Sequence, residues 1–318
     1  MKQLFILLSA LLLTGSSCHS QAHYNKSNSP ENIKIIILGN VQDAGSPQIG
    51  CHKECCMDLW KHPREDRKVT SLGVIDGELQ KNYIFDASPD FPRQLELLME
   101  HSAVQKKTVP DGIFITHAHI GHYTGLMFLG KEGMNSKAVP VYTMPRLKKF
   151  FENNGPWSQL VRLDNTVPYE MQNEVPIQVN SHLEVTPIQV PHRDEYSETV
   201  GFIIKGPHKK ALFIPDIDKW NKWKYSIADF IKKVDYAFLD GTFYDPAEMG
   251  YRNIEDIPHP FVVESMDLFK NLSPEYKKKI FFIHFNHSNK ILNPDSKQSK
   301  EVMEKGFNIA RLGDEFEL

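Results

Sequence analysis

Three histidines, His117, His119 and His122, lie within six positions directly after the apolar run at 112–115. The run is typical of a buried strand, so the histidines fall where a strand ends and a loop begins. His117 and His119 would point to the same side of an extended chain, and His122 would approach from the following turn. Because imidazole is the commonest protein ligand for zinc and also suits iron, the spacing predicts a metal site. The alternative is three solvated loop histidines.

Four other apolar runs also end at a residue that can bind a metal ion. Alone, each such residue would more ordinarily cap a strand or face solvent. With the histidine strand this makes five such strand ends in one chain, and the repetition indicates that they are not all ordinary capping or solvated residues. They are His192 after 185–190, Asp216 after 211–214, Asp240 after 236–239 and His284 after 280–283, with His287 three positions beyond His284.

Three cysteines, Cys51, Cys55 and Cys56, are packed into six positions. If the remaining cysteine, Cys18, carries a lipid, the set is odd and disulfides cannot use all of it. Three thiolates this close, with one ligand from elsewhere, fit a closed tetrahedral structural zinc site. The alternative is a single disulfide from Cys51 to Cys55 or Cys56 that leaves one thiol over.

The N-terminus is predicted to be a targeting segment. Lys2 precedes the apolar stretch 4–13, which has the length of a signal-peptide core and is too short to span a bilayer. Gly15-Ser16-Ser17 lead into Cys18 and resemble a bacterial lipobox, in which the cysteine is acylated; ordinary cleavage nearby is the alternative. We therefore expect a signal peptide at 1–18 and a polar tether at 19–32. The mature protein would be periplasmic or a cell-envelope lipoprotein, touching the membrane only through its anchor.

The elements that must position these residues are mixed in type. The chain has 318 residues, 41% of them hydrophobic, so it can bury a large core, and we expect one domain over 33–318. Helical patterns such as 147–151, stopped by Asn153-Asn154-Gly155-Pro156, alternate with strand patterns, and the middle of the chain is rich in strands. This indicates an α/β fold layered around sheet. A net charge of -3 and no basic stripe argue against nucleic acid as a partner.

The order of the candidate ligands resembles that of metallo-β-lactamase-fold proteins over 33–318. That family carries a His-x-His-x-Asp-His motif followed by single later ligands, and it has an αβ/βα four-layer sandwich with one or two metal ions at its rim. The resemblance implies one ion on His117, His119 and His192, and a second on His122, His284 and Asp216, with Asp216 able to bridge. Gly121 stands where the motif has aspartate. The second site is therefore expected to have two histidines and one carboxylate.

Within that family, the chain is similar to the pyrroloquinoline-quinone biosynthesis B group. The similar segments are Leu38-Gly39, Gly45-Ser46-Pro47-Gln48, the cysteine cluster and 284–289. Related cyclic phosphodiesterases hold a structural zinc on three clustered cysteines and a histidine three positions after the last active-site histidine. The resemblance therefore implies that His287 completes the site of Cys51, Cys55 and Cys56.

The resemblance implies a metallohydrolase that uses a metal-activated water on a phosphodiester or ester of a small molecule. Zinc is the expected ion, with iron or manganese as alternatives. Asp216 would hold the metal pair and orient the nucleophile. His259, in a proline-stiffened loop, would reach substrate or protonate the leaving group, or else is an ordinary loop histidine. Asp86 and Asp240 are expected to orient ligand histidines.

Two other functions stay open from the sequence. Two histidines and one carboxylate with open positions is the ligand set of non-haem iron oxygenases, and the quinone-biosynthesis group is associated with hydroxylation. A non-catalytic metal-binding protein would need ligands closed to solvent. The loops at 40–50 and 243–260 are expected to set specificity, but their composition identifies no substrate. The oligomeric state is equally open.

Overall fold

The computed structural model describes residues 33–102, 108–250 and 257–318. The predicted signal peptide, the tether and the lipid attachment at Cys18 lie outside the described residues and stay predictions. Part of the predicted specificity loop, 251–256, also lies outside them. The described residues form two seven-stranded sheets with helices on their outer faces.

The first sheet has the strand order β14-β1-β2-β3-β4-β5-β6 and the second the order β13-β12-β11-β10-β9-β8-β7. The strands are β1 (Ile33–Gly39), β2 (Ser71–Asp76), β3 (Lys81–Phe85), β4 (Gly112–Phe114), β5 (Val139–Thr143), β6 (Thr166–Glu170), β7 (Ile177–Gln178), β8 (Glu184–Gln189), β9 (Val200–Lys205), β10 (Lys210–Ile214), β11 (Tyr236–Asp240), β12 (Ile280–Ile283), β13 (Asn308–Ile309) and β14 (Glu315–Glu317).

The helices connect these strands. They are α1 (Glu54–Met57), α2 (Phe91–His101), α3 (Ile120–Tyr123), α4 (Pro145–Asn153), α5 (Trp157–Arg162), α6 (Ile227–Lys233), α7 (Val262–Leu268), α8 (Pro274–Lys277) and α9 (Lys297–Glu304). Short 3-10 turns add Thr124–Leu129, Trp220–Lys222, Pro246–Met249 and Lys290–Leu292. Among the described residues, no helix combines the length and the apolar character needed to cross a membrane.

Side-chain alternation along the strands produces four layers. In β1, Ile35 and Ile37 belong to the core between the two sheets, whereas Ile36 and Leu38 face a second core under α2 and α4. Successive residues of a strand point to opposite faces, so a continuous apolar run is what a sheet covered on both sides requires. The second sheet is covered by α6, α7 and α9 in the same way. The expected αβ/βα four-layer sandwich is confirmed.

The segment Asn153-Asn154-Gly155-Pro156 stops a helix, as expected: α4 ends at Asn153. A second helix, α5, follows at once, and Pro156 precedes its first helical residue. A proline fixes φ near the helical value and loses no needed hydrogen bond at a helix start, so Pro156 suits the beginning of α5.

Strand direction brings the candidate ligands to one edge of the sandwich. β3 and β4 are parallel, and so are β10, β11 and β12, so the carboxyl ends within each set lie side by side. The two sheets also meet at this edge, where Val41 after β1 forms an isolated bridge with Phe285 after β12. The loops that leave these strand ends therefore face one another.

Candidate metal centre

Sharp turns at the strand ends direct polar side chains into the space between the two sheets. Asp86 directly follows β3 with φ 66°, and His284 directly follows β12 with φ 70°. Left-handed backbone at non-glycine residues costs energy and concentrates at functional sites. His117 follows β4, and His119 immediately precedes α3 in extended conformation. The extended segment lets these two histidines reach one point from the same side, as the sequence predicted.

The first group of candidate ligands consists of His117, His119, His192 and Asp216, whose ligand atoms all lie within 4.8 Å of one another. Asp216 Oδ2 lies 3.2 Å from His192 Nε2 and 3.4 Å from His117 Nε2. His119 Nδ1 lies 3.2 Å from His192 Nε2. Two ligands at about 2.1 Å from a tetrahedral ion stand about 3.4 Å apart, so these separations leave room for one metal ion.

The second group consists of Asp43, His122, Asp216 and His284. Asp43 Oδ1 lies 3.1 Å from His122 Nε2 and 3.2 Å from His284 Nε2. Asp216 Oδ2 lies 3.9 Å from His122 Nε2 and so faces both groups. The two candidate metal positions therefore share one carboxylate, which is the arrangement of a two-ion centre.

Asp43 lies in the second group, where the glycine at position 121 led us to expect two histidines and one carboxylate. The family motif directed attention to position 121, while the extra carboxylate lies in the loop after β1. The signal that would have found it is the pattern used elsewhere, an acidic residue shortly after an apolar strand. That signal was weak because four positions separate Asp43 from the end of β1.

The ligand histidines are oriented through their second ring nitrogen. His122 Nδ1 lies 2.7 Å from Asp86 Oδ2, and Asp86 also accepts hydrogen bonds from the backbone and side chain of Thr116. His284 Nδ1 lies 2.9 Å from Thr242 Oγ1, whose hydroxyl is 2.7 Å from Asp240 Oδ1. The expected orienting roles of Asp86 and Asp240 agree with these contacts. For Asp240 the contact to His284 is indirect.

His259 is buried beside the two groups. Its Nδ1 lies 2.9 Å from Asp240 Oδ2 and 3.1 Å from Asp216 Oδ1. Burial lowers the pKa of His259, but the carboxylates of Asp240 and Asp216 outweigh it and hold the pKa well above its ordinary value. The ring is therefore held by the carboxylate of Asp240 beside Asp216, and it is not a solvated loop histidine.

The donor set fits metal ions. His117 Nε2 is buried and has no hydrogen-bond partner among the described residues, which is costly unless something else satisfies it. Burial lowers the pKa of His117 well below its ordinary value, so its ring is neutral, as ligation requires. Burial raises the pKa of Asp216, but His192 and His259 depress it well below the ordinary range, so it is a carboxylate. Asp43 and His119 keep 14% and 13% of their side chains exposed, so the centre opens to solvent.

A separate cluster joins Cys51, Cys55, Cys56 and His287, again within 4.8 Å. All three cysteines are free, so the alternative of a disulfide is wrong for this structure. The sulfur atoms of Cys51 and Cys55 are 3.8 Å apart, close to the separation of about 3.8 Å expected for thiolates around tetrahedral zinc. Burial and the neighbouring thiols raise the pKa of Cys55 to about 12, so a cation is needed to keep it as a thiolate.

Every metal ligand expected from the sequence thus lies in one of these groups. The first group holds His117, His119, His192 and Asp216; the second holds His122, Asp216 and His284; the cysteine cluster holds Cys51, Cys55, Cys56 and His287. The ligation itself, and the catalytic roles of Asp216 and His259, stay predictions. Asp43 is the one residue of these groups that the sequence reading did not name.

Comparison with known proteins places this geometry in a family. The sequence model of the family described as "Beta-lactamase superfamily domain" matches residues 81–285. A coenzyme PQQ synthesis protein B from Acinetobacter baylyi is 26% identical over 302 residues, which cover 88% of this chain and 98% of that protein. A second, from Klebsiella pneumoniae, is 24% identical and covers 87% of this chain and 95% of its own length.

Solved structures agree on the fold. Zinc-bound PqqB from Methylobacterium extorquens superposes with a TM-score of 0.73 at 20% identity, covering 90% of this chain and all of that one. A diphosphatase of the PhnP family gives a TM-score of 0.60 at 20% identity over 90% of this chain and 97% of that one. The chain therefore belongs to the beta-lactamase superfamily, with the metallo-β-lactamase fold and a PqqB-like sequence.

Proposed function

We propose that this protein is a metal-dependent hydrolase that cleaves a phosphodiester or ester bond of a small molecule. The observation that carries the proposal is the pair of four-ligand groups that share Asp216 at an opening between the sheets. Zinc is the proposed ion, because three or two imidazoles together with carboxylates suit it. The diphosphatase with the same fold supports a phosphorus ester as the first substrate class to test.

Metal ions held by the two groups would activate water at neutral pH and polarise the oxygen of the bond to be cleaved. The protein's own contribution is position. Asp216 presents one oxygen to both groups, so it would help to hold both ions, and the buried histidines around it would hold them from the other sides.

His259 is proposed to protonate the leaving group. Its Nδ1 is hydrogen-bonded to Asp240, which leaves Nε2 as the ring nitrogen that can act on a substrate. The neighbouring carboxylates raise the pKa of the ring and so favour the protonated imidazole that a general acid requires.

A second candidate function is iron-dependent hydroxylation. The observation in its favour is similarity to coenzyme PQQ synthesis proteins over 87–88% of the chain. The ligand argument for it is weaker than the sequence suggested. Asp43 adds a second carboxylate to the group, whereas that argument required two histidines and one carboxylate.

Turnover against a panel of phosphodiesters and esters tests the proposal. We expect metal-replete protein to hydrolyse at least one class, and His119→Ala to lower kcat/KM by more than about 100-fold, because loss of a residue that merely orients a metal ligand already costs 10- to 100-fold. His62→Ala is the matched control, since His62 keeps 76% of its side chain exposed. Metal-replete protein that hydrolyses nothing in the panel would contradict the proposal. Iron content with oxygen uptake would support the second candidate instead.

A further inference from the structure

We propose that Asp43 is a ligand of the second metal ion and replaces the carboxylate that the family motif carries at position 121. Glycine at position 121 leaves the space that Asp43 occupies. The inference rests on the proposed metal centre, but not on the reaction. It concerns which residue completes the second group and why position 121 has no side chain.

The first step is the position of the carboxylate. Asp43 Oδ1 is the atom that both His122 Nε2 and His284 Nε2 approach, at 3.1 and 3.2 Å. Both of those histidines use their other ring nitrogen in hydrogen bonds, to Asp86 and Thr242. The two Nε2 atoms and the Asp43 oxygen therefore point at a common space, as three ligands of one ion do.

Position 121 has no room for a side chain. A Cβ added to Gly121 would lie 2.5 Å from Asp43 Cα and 2.7 Å from Asp43 Cγ, and would also overlap Asp43 Oδ1. Real Cβ atoms do not come this close to other heavy atoms. Any side chain at 121, including the aspartate of the family motif, is thus incompatible with Asp43 where it stands. The two positions are alternatives for one carboxylate.

The third step is what holds the loop of Asp43 against the histidines. Gln42 N donates to Phe285 O at 2.8 Å, and Phe285 N donates to Asn40 O at 2.7 Å. Phe285 is the residue after His284, so these two bonds fix Asp43 relative to that histidine. The backbone, and not only the side-chain contact, places Asp43 in the second group.

Metal binding to purified variants tests the exchange. We expect Asp43→Ala to bind one metal ion fewer per chain than the wild type. Asp43→Asn keeps the shape of the side chain and is expected to weaken the second ion by more than about 100-fold, because loss of a partner that merely orients a ligand already costs 10- to 100-fold. Asp58→Asn is the matched control, since its carboxylate is 81% exposed and belongs to no ligand group.

Gly121→Ala tests the steric half of the inference. The added methyl group carries no charge, yet we expect it to displace Asp43 and remove the same ion. Gly155→Ala is the control, because a Cβ there would have no heavy atom within 4 Å. The double variant Asp43→Ala with Gly121→Ala should bind no less metal than either single variant, since both changes act on one ligand.

The possible outcomes distinguish the inference about Asp43 from the proposed hydrolase function. Wild-type affinity for the second ion in Asp43→Asn or in Gly121→Ala would overturn the inference and leave the proposed hydrolase standing. Wild-type protein that binds no metal apart from the cysteine cluster would remove the proposed function itself. Circular dichroism and thermal unfolding of each variant distinguish loss of the ion from loss of the fold. If Asp43→Ala does not fold, the isosteric variant Asp43→Asn provides the test of metal binding.

Discussion

At the scale of single residues, hydrogen bonds fix the orientation of the candidate ligand histidines. His122 and His284 are buried, and each has one ring nitrogen in a hydrogen bond and the other facing the shared space. His192 is held in the same way by Asp218, at 3.3 Å. Fixing the ring orientation and tautomer in this way raises metal affinity, because less conformational freedom is lost on binding.

Glu248 lies outside the metal groups and gives the protein a pH-dependent stability. Its carboxylate accepts hydrogen bonds from Ser288 Oγ and Tyr244 N, yet burial raises its pKa from the ordinary 4.5 to about 7. The folded state therefore holds a proton that the unfolded state loses above about pH 4.5. This contribution to stability is complete below pH 4.5 and is lost as the pH rises through 7.

We predict that the free energy of unfolding of the wild type, relative to Glu248→Gln, falls between about pH 4.5 and 7. Each pKa unit corresponds to about 1.4 kcal/mol, which sets an upper limit of about 3 kcal/mol for the fall. Denaturant unfolding of both proteins across this range measures it, and the subtraction cancels the pH dependence of metal binding. Glu65→Gln serves as the exposed control. Parallel curves for wild type and Glu248→Gln would refute the prediction.

At the scale of elements, the cysteine cluster anchors the same loop that carries Asp43. Gln48 N donates to Cys56 Sγ at 3.4 Å, and Cys51 N donates to Gln48 O at 3.0 Å. The cluster also includes His287, which stands three residues after His284. An ion in the cluster would thus clamp the loop after β1 to the loop after β12, the two loops that supply Asp43 and His284.

Cys56→Ser is predicted to affect two metal ions. It should remove the ion of the cysteine cluster, lower the unfolding temperature, and weaken the second active-site ion by roughly 10-fold, because the loop of Asp43 loses one anchor. Metal analysis together with a chelator competition measures both effects. His52→Ala is the control, since His52 lies in the same loop, is exposed and belongs to no ligand group. Unchanged zinc content in Cys56→Ser would rule out the structural site.

Part of the site could be predicted from the sequence because several of its residues come at the ends of apolar strands. His192, Asp216 and His284 each end an apolar strand, and that local pattern is visible without knowledge of the fold. The loop of Asp43 is held by backbone bonds of Asn40 and Gln42 to Phe285, more than 240 positions away in the sequence. The contact of Asp43 with Gly121 likewise joins two segments that are distant in the sequence. The family motif therefore shows that a carboxylate is missing at position 121, but it does not show that Asp43 replaces it.

At the scale of the whole molecule, the centre depends on the packing of the two sheets. The first sheet and its loops supply Asp43 and the three clustered histidines, and the second supplies His192, Asp216 and His284. Phe85 and Phe114 of one sheet pack against Phe202 of the other, with ring centroids 5.4 and 5.9 Å apart. This aromatic core fixes the separation between the two sheets. Because each group takes ligands from both sheets, neither sheet alone contains a complete metal site.

The two-ion centre can be tested by anomalous X-ray diffraction from crystals of the metal-replete wild type, recorded on both sides of the zinc absorption edge. We predict two neighbouring peaks in the active site, one beside His117, His119 and His192 and the other beside Asp43, His122 and His284, with Asp216 between them. A single active-site peak, or a second peak that Asp43 does not contact, would contradict this prediction.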